Sequence, residues 1–265
     1  MPESATHPGE RALLCLWPQR MMFVGRLGLL PPHRHAIAVC LVALEAPLRI
    51  GTAGQSRVCR TAIVPAGLSH SLDLAGAPVA VLYSDPDDPH YRHLSPHREC
   101  GLSALDSAIE EPLIGAVRAL YAAHQAGDAL SLDAFEDAAE RALGIAPRAR
   151  IDARIEQVVA TIRAAIDRNH AIGELARSVD LSASRLQHLF VEEIGVPLRT
   201  FRIWIRFRHA VELAARGDSI TSAALDAGFA SSSHFSHAFK ATFGVTAASL
   251  FKGVPPRVRV EWIQP

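Results

Sequence analysis

The spacing of apolar residues divides the chain into three stretches. From about Arg20 to Ser84, short β-rich runs such as 36–43 and 79–83 are separated by glycine, proline and other turn residues, a pattern typical of a small sandwich or barrel. Between Ser103 and Leu143 the apolar period becomes helical, and after Pro147 every segment has a helical period. The pattern predicts an α+β chain: a β-rich N-terminal part, two helices, and an all-α C-terminal part.

The two helices predicted after the β region each have one apolar face. Such a face must be buried on another surface, and an isologous pair of helices is the commonest arrangement. We therefore expect these helices to make the protein a homodimer, with packing on the β region of the same chain as the alternative. The apolar positions are Leu113, Val117, Leu120 and Tyr121 in the first helix and Leu132, Phe135, Ala139 and Leu143 in the second.

The C-terminal half contains an internal repeat. With an offset of 48 positions, residues 172–176 align with residues 220–224. With an offset of 49 positions, residues 186–196 align with residues 235–245. Each copy keeps apolar positions at i, i+3 and i+4 on both sides of a short break, as two short helices packed at a steep angle require. Gly228 lies where the turn needs a positive φ, and Asp180 takes that place in the first copy. Each copy therefore predicts a helix-turn-helix.

The second helix of each motif is predicted to contact DNA. It begins with small polar residues that can cap it, and it then presents a polar outward face. Arginine, glutamine and histidine suit base edges, and serine suits phosphate or base; for any single residue, a solvated helix face is the alternative. The candidates are Ser182, Ser184, Arg185, Gln187 and His188 in the first motif and Ser232, Ser233, His234, Ser236, His237 and Lys240 in the second.

A long helix is predicted between the motifs, from about Leu198 to Arg216. At about 1.5 Å per residue it is near 28 Å long, which can hold two recognition helices about one DNA turn, roughly 34 Å, apart. Its basic cluster predicts phosphate contacts, although Arg202 and Arg206 share a face and one of them can instead cover the core. The cluster is Arg199, Arg202, Arg206 and Arg208.

These C-terminal residues closely resemble the AraC/XylS family of bacterial transcription regulators over about Ile151 to Phe251. The match includes the segments 181–190, 227–229, 233–235 and 243–246, together with Leu175, Ala176, Gly195, Arg206, Ala210, Phe239 and Lys240. Ala247 departs from the family, which usually has a proline there, and this puts the start of the last helix in doubt. The resemblance implies a double helix-turn-helix domain that binds double-stranded DNA, with RNA polymerase as a possible further partner.

Two N-terminal fragments resemble cupin motifs. His33-Arg-His35 leads into a β run, and Pro65 to His70 reproduces a PxGxxH turn. In metal-binding cupins the three histidines and a glutamate ligate a divalent metal, but here the first carboxylate after them is Glu45, which we expect to be out of reach. We therefore predict that His33, His35 and His70 line an effector pocket, with no cofactor. A zinc or nickel site on these imidazoles is the less favoured alternative.

Charge and cysteine usage agree with this organisation. Residues 1–150 carry 13 Lys+Arg and 16 Asp+Glu and residues 151–265 carry 14 and 11, so the C-terminal half is the basic one. The four cysteines stand singly and predict neither a disulfide framework nor a zinc site. The absence of a long apolar run and of a signal pattern predicts a cytoplasmic protein without a membrane contact. The cysteines are Cys15, Cys40, Cys59 and Cys100.

Together these patterns predict a ligand-responsive transcription regulator that is not an enzyme. The predicted parts are a cupin-like effector domain over 1–102, a helical dimerisation and linker segment over 103–146, and the DNA-binding domain over 147–265. Two alternatives stay open for the N-terminal half: a metal-dependent cupin enzyme, or a dimerisation scaffold without a ligand.

Overall fold

The protein is seen here in a computed structural model, which describes residues 11–88, 102–103, 105–130, 132–143, 151–251 and 258–262. Cys100 and the linker predicted around 146–150 lie outside the described residues. Two β-sheets and two helices make up the N-terminal part, and the C-terminal part is helical up to residue 251. The α+β fold class predicted from the sequence is confirmed.

The N-terminal strands form a sandwich whose inner faces are lined by apolar residues. One sheet has the order β10-β1-β2-β9-β4-β7 and the other the order β3-β8-β5-β6. In β1 the residues alternate: Leu14 and Leu16 face the inner core, and Leu13 and Cys15 face the outside of the sheet. The strands are β1 Ala12–Leu16, β2 Arg20–Arg26, β3 Leu29–His33, β4 Val39–Ala43, β5 Leu48–Thr52, β6 Gln55–Cys59, β7 Thr61–Val64, β8 His70–Asp73, β9 Pro78–Ser84 and β10 Val258–Trp262.

Two helices cover the outer face of the larger sheet: α1 Ser107–Ala126 and α2 Leu132–Leu143. The apolar stripe of α1, which the sequence analysis assigned to a dimer, packs instead on Leu13, Val24 and neighbouring sheet residues of the same chain. Leu113 and Val117 in that stripe are completely buried. The alternative packing is therefore the one observed, and the stripe no longer supports a helix-paired dimer.

The C-terminal part consists of helices packed around an aromatic core. Phe207 lies at its centre, with ring centroids 5.2–6.0 Å from those of Phe229, Phe235, Phe239 and Phe243. Aromatic pairs of this kind contribute about 0.5–1.5 kcal/mol each beyond their area burial. The helices are α3 Ala153–Ala164, α4 Ile172–Arg177, α5 Ala183–Ile194, α6 Leu198–Ala215, α7 Ile220–Asp226, α8 Ser232–Phe243 and α9 Ala247–Phe251.

Both predicted helix-turn-helix turns are present, between α4 and α5 and between α7 and α8. Asp180 adopts φ 54° and Gly228 φ 82°, as the alignment of the two copies predicted. A Cβ at Gly228 would lie 2.7 Å from the Cα of Asp167, so this turn also needs glycine for the close approach of another backbone segment. The last helix begins at Ala247 without a proline.

The strand β10 was not predicted, because every segment after the linker was expected to be helical. It pairs in parallel with β1, in the register Ala12 with Val258 to Leu16 with Trp262. A five-residue run has little local signal of its own, and it is stabilised here by pairing with a strand more than 240 residues earlier in the chain. β10 thereby ties the end of the chain to the N-terminal sandwich.

Ionic contacts also join the N-terminal sandwich to the helical part. The buried carboxylate of Asp85, just after β9, accepts hydrogen bonds from Arg163 on α3 and from Trp204 and Arg208 on α6, at 2.6–2.7 Å. Burial raises the pKa of this carboxyl, and the Arg208 and Arg163 guanidinium groups oppose that effect.

No helix in the described part of the chain has the length and apolar character needed to cross a membrane.

Candidate nucleic-acid interface and buried histidine cluster

The recognition helix of the first motif, α5, has a buried side and an exposed polar side. Leu186, Leu189 and Phe190 are buried in the core. Ser182 is the N-cap, and its side chain accepts a hydrogen bond from the backbone N–H of Arg185. The candidates Ser182, Ser184, Arg185, Gln187 and His188 are all exposed, so the structure brings them together on one accessible face.

The corresponding helix of the second motif, α8, is built in the same way. Ser231 caps it by accepting from the backbone N–H of His234, and Phe235 and Phe239 hold its inner side. An open groove follows its outer side. Its lining includes Thr246, which was not among the predicted site residues although it lies in the quoted motif. Ser233, His234, Ser236, His237 and Lys240 are exposed, and Ser232 is half-buried.

The four arginines of α6 have different surroundings. Arg199 is exposed and available for a phosphate contact. Arg202 donates to the backbone carbonyl of His170, and Arg206 donates to the carbonyls of Ile166 and Asp167. These two guanidinium groups are therefore used to tie α6 to the loop between α3 and α4.

Arg208, the fourth member of the basic cluster, is buried and contacts the N-terminal sandwich. It pairs with Asp85, and it also donates to Glu212 Oε1 at 3.1 Å. It is 5% exposed, so it has no free face for a phosphate. Of the cluster read from the sequence, Arg199 is exposed, Arg202 and Arg206 are half-buried with their guanidinium groups bonded to backbone carbonyls, and Arg208 is buried.

The three predicted histidines lie together inside the sandwich, where it meets the end of α8. The ring centroids of His33, His35 and His70 are 4.3–5.1 Å apart, and each residue is at most 3% exposed. One ring nitrogen of each can be chosen so that the three atoms lie within 4.8 Å of one another. Glu45 is directed elsewhere, since it pairs with Arg26 at 3.2 Å.

Burial keeps these imidazoles neutral. Desolvation lowers the pKa of His33, and it lowers the pKa of His35 well below the ordinary histidine value. Desolvation also lowers the pKa of His70 to about 4. At neutral pH all three rings therefore have an unprotonated nitrogen, which is the form that binds a metal or accepts a hydrogen bond.

A small apolar cavity of about 50 Å³ lies beside the histidines, between the sandwich and the helical part. Tyr83 and Phe243 line it, and both rings also contact His35, with centroids 5.7 and 6.4 Å away. The cavity is therefore separated from the histidine cluster by these two aromatic rings. Its lining is Leu14, Met21, Phe23, Leu27, Val81 and Tyr83 from the sandwich and Val211, Phe239, Phe243, Val245, Leu250 and Phe251 from the helical part.

Comparison with known proteins agrees with this geometry. A family model described as a helix-turn-helix domain matches residues 175–253. The chain is 28% identical over 100 residues to the uncharacterized HTH-type transcriptional regulator YidL of Escherichia coli K12. That alignment covers 37% of this chain and 34% of YidL, so the likeness spans about a third of the relative.

Solved structures share the two-part fold. A structure of ToxT from Vibrio cholerae matches with a TM-score of 0.57 at 16% identity, covering 87% of this chain and 97% of that one. Wild-type ToxT with an unsaturated fatty acid bound matches with a TM-score of 0.56 at 16% identity, covering 88% and 94%. The helix-turn-helix match over residues 175–253 covers most of the double repeat and of the motifs quoted above, so this part of the chain is similar to helix-turn-helix transcription regulators.

Proposed function

We propose that the protein is a sequence-specific DNA-binding transcription regulator that responds to a small molecule. The observation that carries this proposal is the pair of equivalent helices, α5 and α8, each capped by a serine, anchored by buried apolar residues and polar on its exposed side. A helix of this kind can place its N-terminal residues against base edges in the major groove. Two of them on one chain can read two successive grooves.

The spacing of the two motifs supports the same conclusion. α6 contains 18 residues, which gives a helix about 27 Å long. That length suits two recognition helices placed about one DNA turn apart, roughly 34 Å. In this proposal Arg185, Gln187, His188, His234 and His237 contact bases.

Phosphate contacts come from serines and from exposed basic residues. Ser182, Ser184, Ser232, Ser233 and Ser236 are placed for them by their position on the recognition helices. Arg199 and Lys240 add positive charge at the surface. Arg202 and Arg206 are left out of the direct contacts, because their guanidinium groups bond to backbone carbonyls of the loop between α3 and α4.

For the effector, the apolar cavity is the best-supported site. It lies between the sandwich and α6, α8 and α9, so a ligand in it contacts both parts of the chain. Its almost entirely apolar lining suits a hydrophobic molecule or an acyl chain, and the cavity of about 50 Å³ has to widen to admit one. The fold shared with ToxT, which has been solved with an unsaturated fatty acid bound, makes such an acid the first ligand to test.

The remaining assignments belong to the same proposal. Residues 1–102 form the effector domain, 103–146 the connecting helical segment and 147–265 the DNA-binding domain. The regulator acts in the cytoplasm, where it meets its DNA. It is not an enzyme, and it contacts RNA polymerase at the promoter. A homodimer that pairs through α1 and α2 would use their outer faces, because their inner faces are covered.

DNA recognition is tested with the full chain and a library of randomised duplexes. We expect selection of a defined sequence, and an affinity that falls steeply with salt because phosphate contacts release counterions. The double variant Arg185→Ala with Lys240→Ala should lose most of the binding. Arg49→Ala with Arg57→Ala removes the same charge from exposed positions in the sandwich and should bind like the wild type. Equal loss in both double variants, or no duplex bound even at low salt, would contradict the proposal.

Effector binding is tested by thermal unfolding with a long-chain unsaturated fatty acid, because a ligand that binds only the folded state raises its stability. Val245→Phe narrows the cavity and should remove the stabilisation. Val58→Phe makes the same change at a position that is 55% exposed on β6, and should keep it. If the N-terminal half is instead a scaffold without a ligand, neither this acid nor other metabolites should stabilise the wild type.

A further inference from the structure

We propose that His33, His35 and His70 form a binding site for a divalent metal ion of the zinc class, located where the sandwich meets the end of recognition helix α8. The metal is distinct from the hydrophobic effector, and its binding does not depend on DNA binding. The inference rests on the free nitrogens of the three rings, on their mutual distances and on the residues that surround them.

The tautomers of two rings follow from their neighbours. Nδ1 of His33 lies 2.9 Å from the carbonyl oxygen of Pro31, and Nδ1 of His70 lies 3.0 Å from that of Leu68. A carbonyl oxygen can only accept, so each Nδ1 holds the hydrogen and each Nε2 holds a lone pair. Metal-bound histidines are oriented in this way, with the other ring nitrogen donating to a carbonyl.

The lone pairs have no hydrogen-bond partner among the described residues. Nε2 of His33 and Nε2 of His70 are buried without one. His35 has a backbone hydrogen bond with Thr242, which leaves its other ring nitrogen without a partner. A buried polar atom without a partner costs on the order of 1–3 kcal/mol, and native proteins contain few of them. Several in one cluster require an explanation, and a shared cation is the simplest, since it binds one lone pair from each ring.

The distances suit a small ion. Zinc binds imidazole nitrogen at about 2.0–2.1 Å, which places the nitrogens of a tetrahedral site about 3.4 Å apart. One ring nitrogen of each histidine can be chosen so that the three atoms lie within 4.8 Å of one another, so the rings have to move closer together to complete the site. Because the cluster among the described residues contains only histidines, it favours zinc, nickel or copper over calcium or magnesium, which prefer oxygen.

The site also touches the second helix-turn-helix. The backbone N–H of Arg34, between two of the ligands, donates to the carbonyl oxygen of Ala241 at 3.0 Å. Gly244 ends α8 with φ 74°, and a Cβ there would lie 3.0 Å from His33 Nδ1. Metal binding therefore fixes the ring against which the end of α8 is packed, and this deepens the proposed function by giving the recognition helix a second input.

The test uses the full chain after treatment with EDTA. Zinc is measured by equilibrium dialysis and cobalt(II) by its visible absorption, which reports coordination directly. We expect about one ion per chain in the wild type and in His209→Gln, a half-buried histidine outside the cluster. Affinity should fall in His33→Gln and His70→Ala by more than the 10–100-fold that loss of an outer-shell partner costs.

His70→Cys keeps a ligand atom, so it should still bind cobalt and should show a new thiolate-to-metal absorption band. This variant gives a positive signal even if the others fold poorly. The inference would be overturned by a wild type that binds no zinc or cobalt, or by folded His33→Gln and His70→Ala proteins that bind as tightly as the wild type.

The contact with α8 is tested by two equivalent glycines of the repeat. Gly195 and Gly244 both end a recognition helix with positive φ, but a Cβ at Gly195 meets nothing within 4 Å. Gly244→Ala should weaken zinc binding more than Gly195→Ala does, because only it presses on His33. Equal zinc affinities in Gly244→Ala and Gly195→Ala would show that the end of α8 does not influence the metal site. Since zinc is measured without DNA, failure of the metal site and failure of DNA binding are distinguishable.

Discussion

Asp85 and Arg208 form a buried ion pair across the two halves of the molecule, with Arg208 Nη1 2.6 Å from Asp85 Oδ2 and side chains that are 5% and 0% exposed. Arg163 shares the same carboxylate at 2.6 Å and also pairs with Asp87 at 2.7 Å. The pair joins β9 to the long helix that lies between the two DNA-binding motifs. A substitution of Asp85 or Arg208 should therefore affect the stability of both parts.

Asp85→Ala should destabilise the protein strongly. Breaking a buried pair costs up to about 3–5 kcal/mol, and here Arg208 retains only Glu212 and Arg163 retains only Asp87 among the carboxylates described. The measurement is the midpoint of urea unfolding. Glu45→Ala breaks the Arg26–Glu45 pair, whose glutamate side chain is 56% exposed, and should cost less than about 1 kcal/mol. Equal losses in the two variants would show that the Asp85 pair is not coupled to stability.

Arg185→Ala and Arg206→Ala should affect DNA binding in different ways. Arg185 is exposed on α5, and loss of a bidentate base contact relaxes preference at one base pair by roughly 1–3 kcal/mol. Arg206 donates to the carbonyls of Ile166 and Asp167, so its loss should lower stability and leave the salt dependence unchanged. The sequence alone had suggested a phosphate contact for Arg206.

Binding of these variants to randomised sites at several salt concentrations separates the two roles. Arg199→Ala is the reference for loss of one phosphate contact. It should reduce the slope of log affinity against log salt concentration by about one. If Arg206→Ala is as stable as the wild type and reduces the slope like Arg199→Ala, Arg206 contacts phosphate after all. A uniform loss of affinity in Arg185→Ala, with the same preferred sequence, would remove Arg185 from the base readers.

Gly228→Ala should destabilise the second helix-turn-helix more than Gly195→Ala destabilises the first. Both positions have positive φ, which costs a non-glycine residue about 1–2 kcal/mol. Only at Gly228 does the new Cβ meet backbone, 2.7 Å from the Cα of Asp167. The free energies of unfolding of the two variants are measured by thermal unfolding, and their difference gives the cost of that contact. Equal free energies would mean that the loop at Asp167 moves to accommodate the new Cβ.

Ending the chain after Phe251 should lower the unfolding midpoint, because it removes β10 and leaves β1, still paired with β2, as the edge strand of the sheet. Ending it after Trp262 removes only the last three residues and should have little effect. Differential scanning calorimetry of both truncated proteins and the full chain makes the comparison. A midpoint that is unchanged after the longer deletion would show that β10 adds nothing to the sandwich.

The sequence by itself determined the helical C-terminal part and most of the exposed interface. Helix period, serine caps and turn residues are local signals, so the repeat predicted both motifs, the positive φ of Asp180 and Gly228, and the outward face that includes Arg185 and His234. The convergence of the three histidines was also readable, because their motifs resemble those of a known family.

Contacts between distant segments were decided only by the tertiary structure. Asp85 and Arg208 are 123 residues apart, and no local pattern marks an arginine that is buried by a partner so far along the chain. For the same reason, the sequence could not show that the stripe of α1 covers the sheet, that residues 258–262 pair with β1, or that Gly244 lies against His33. Periodicity shows which face of an element is buried, whereas packing of the whole chain decides what covers that face.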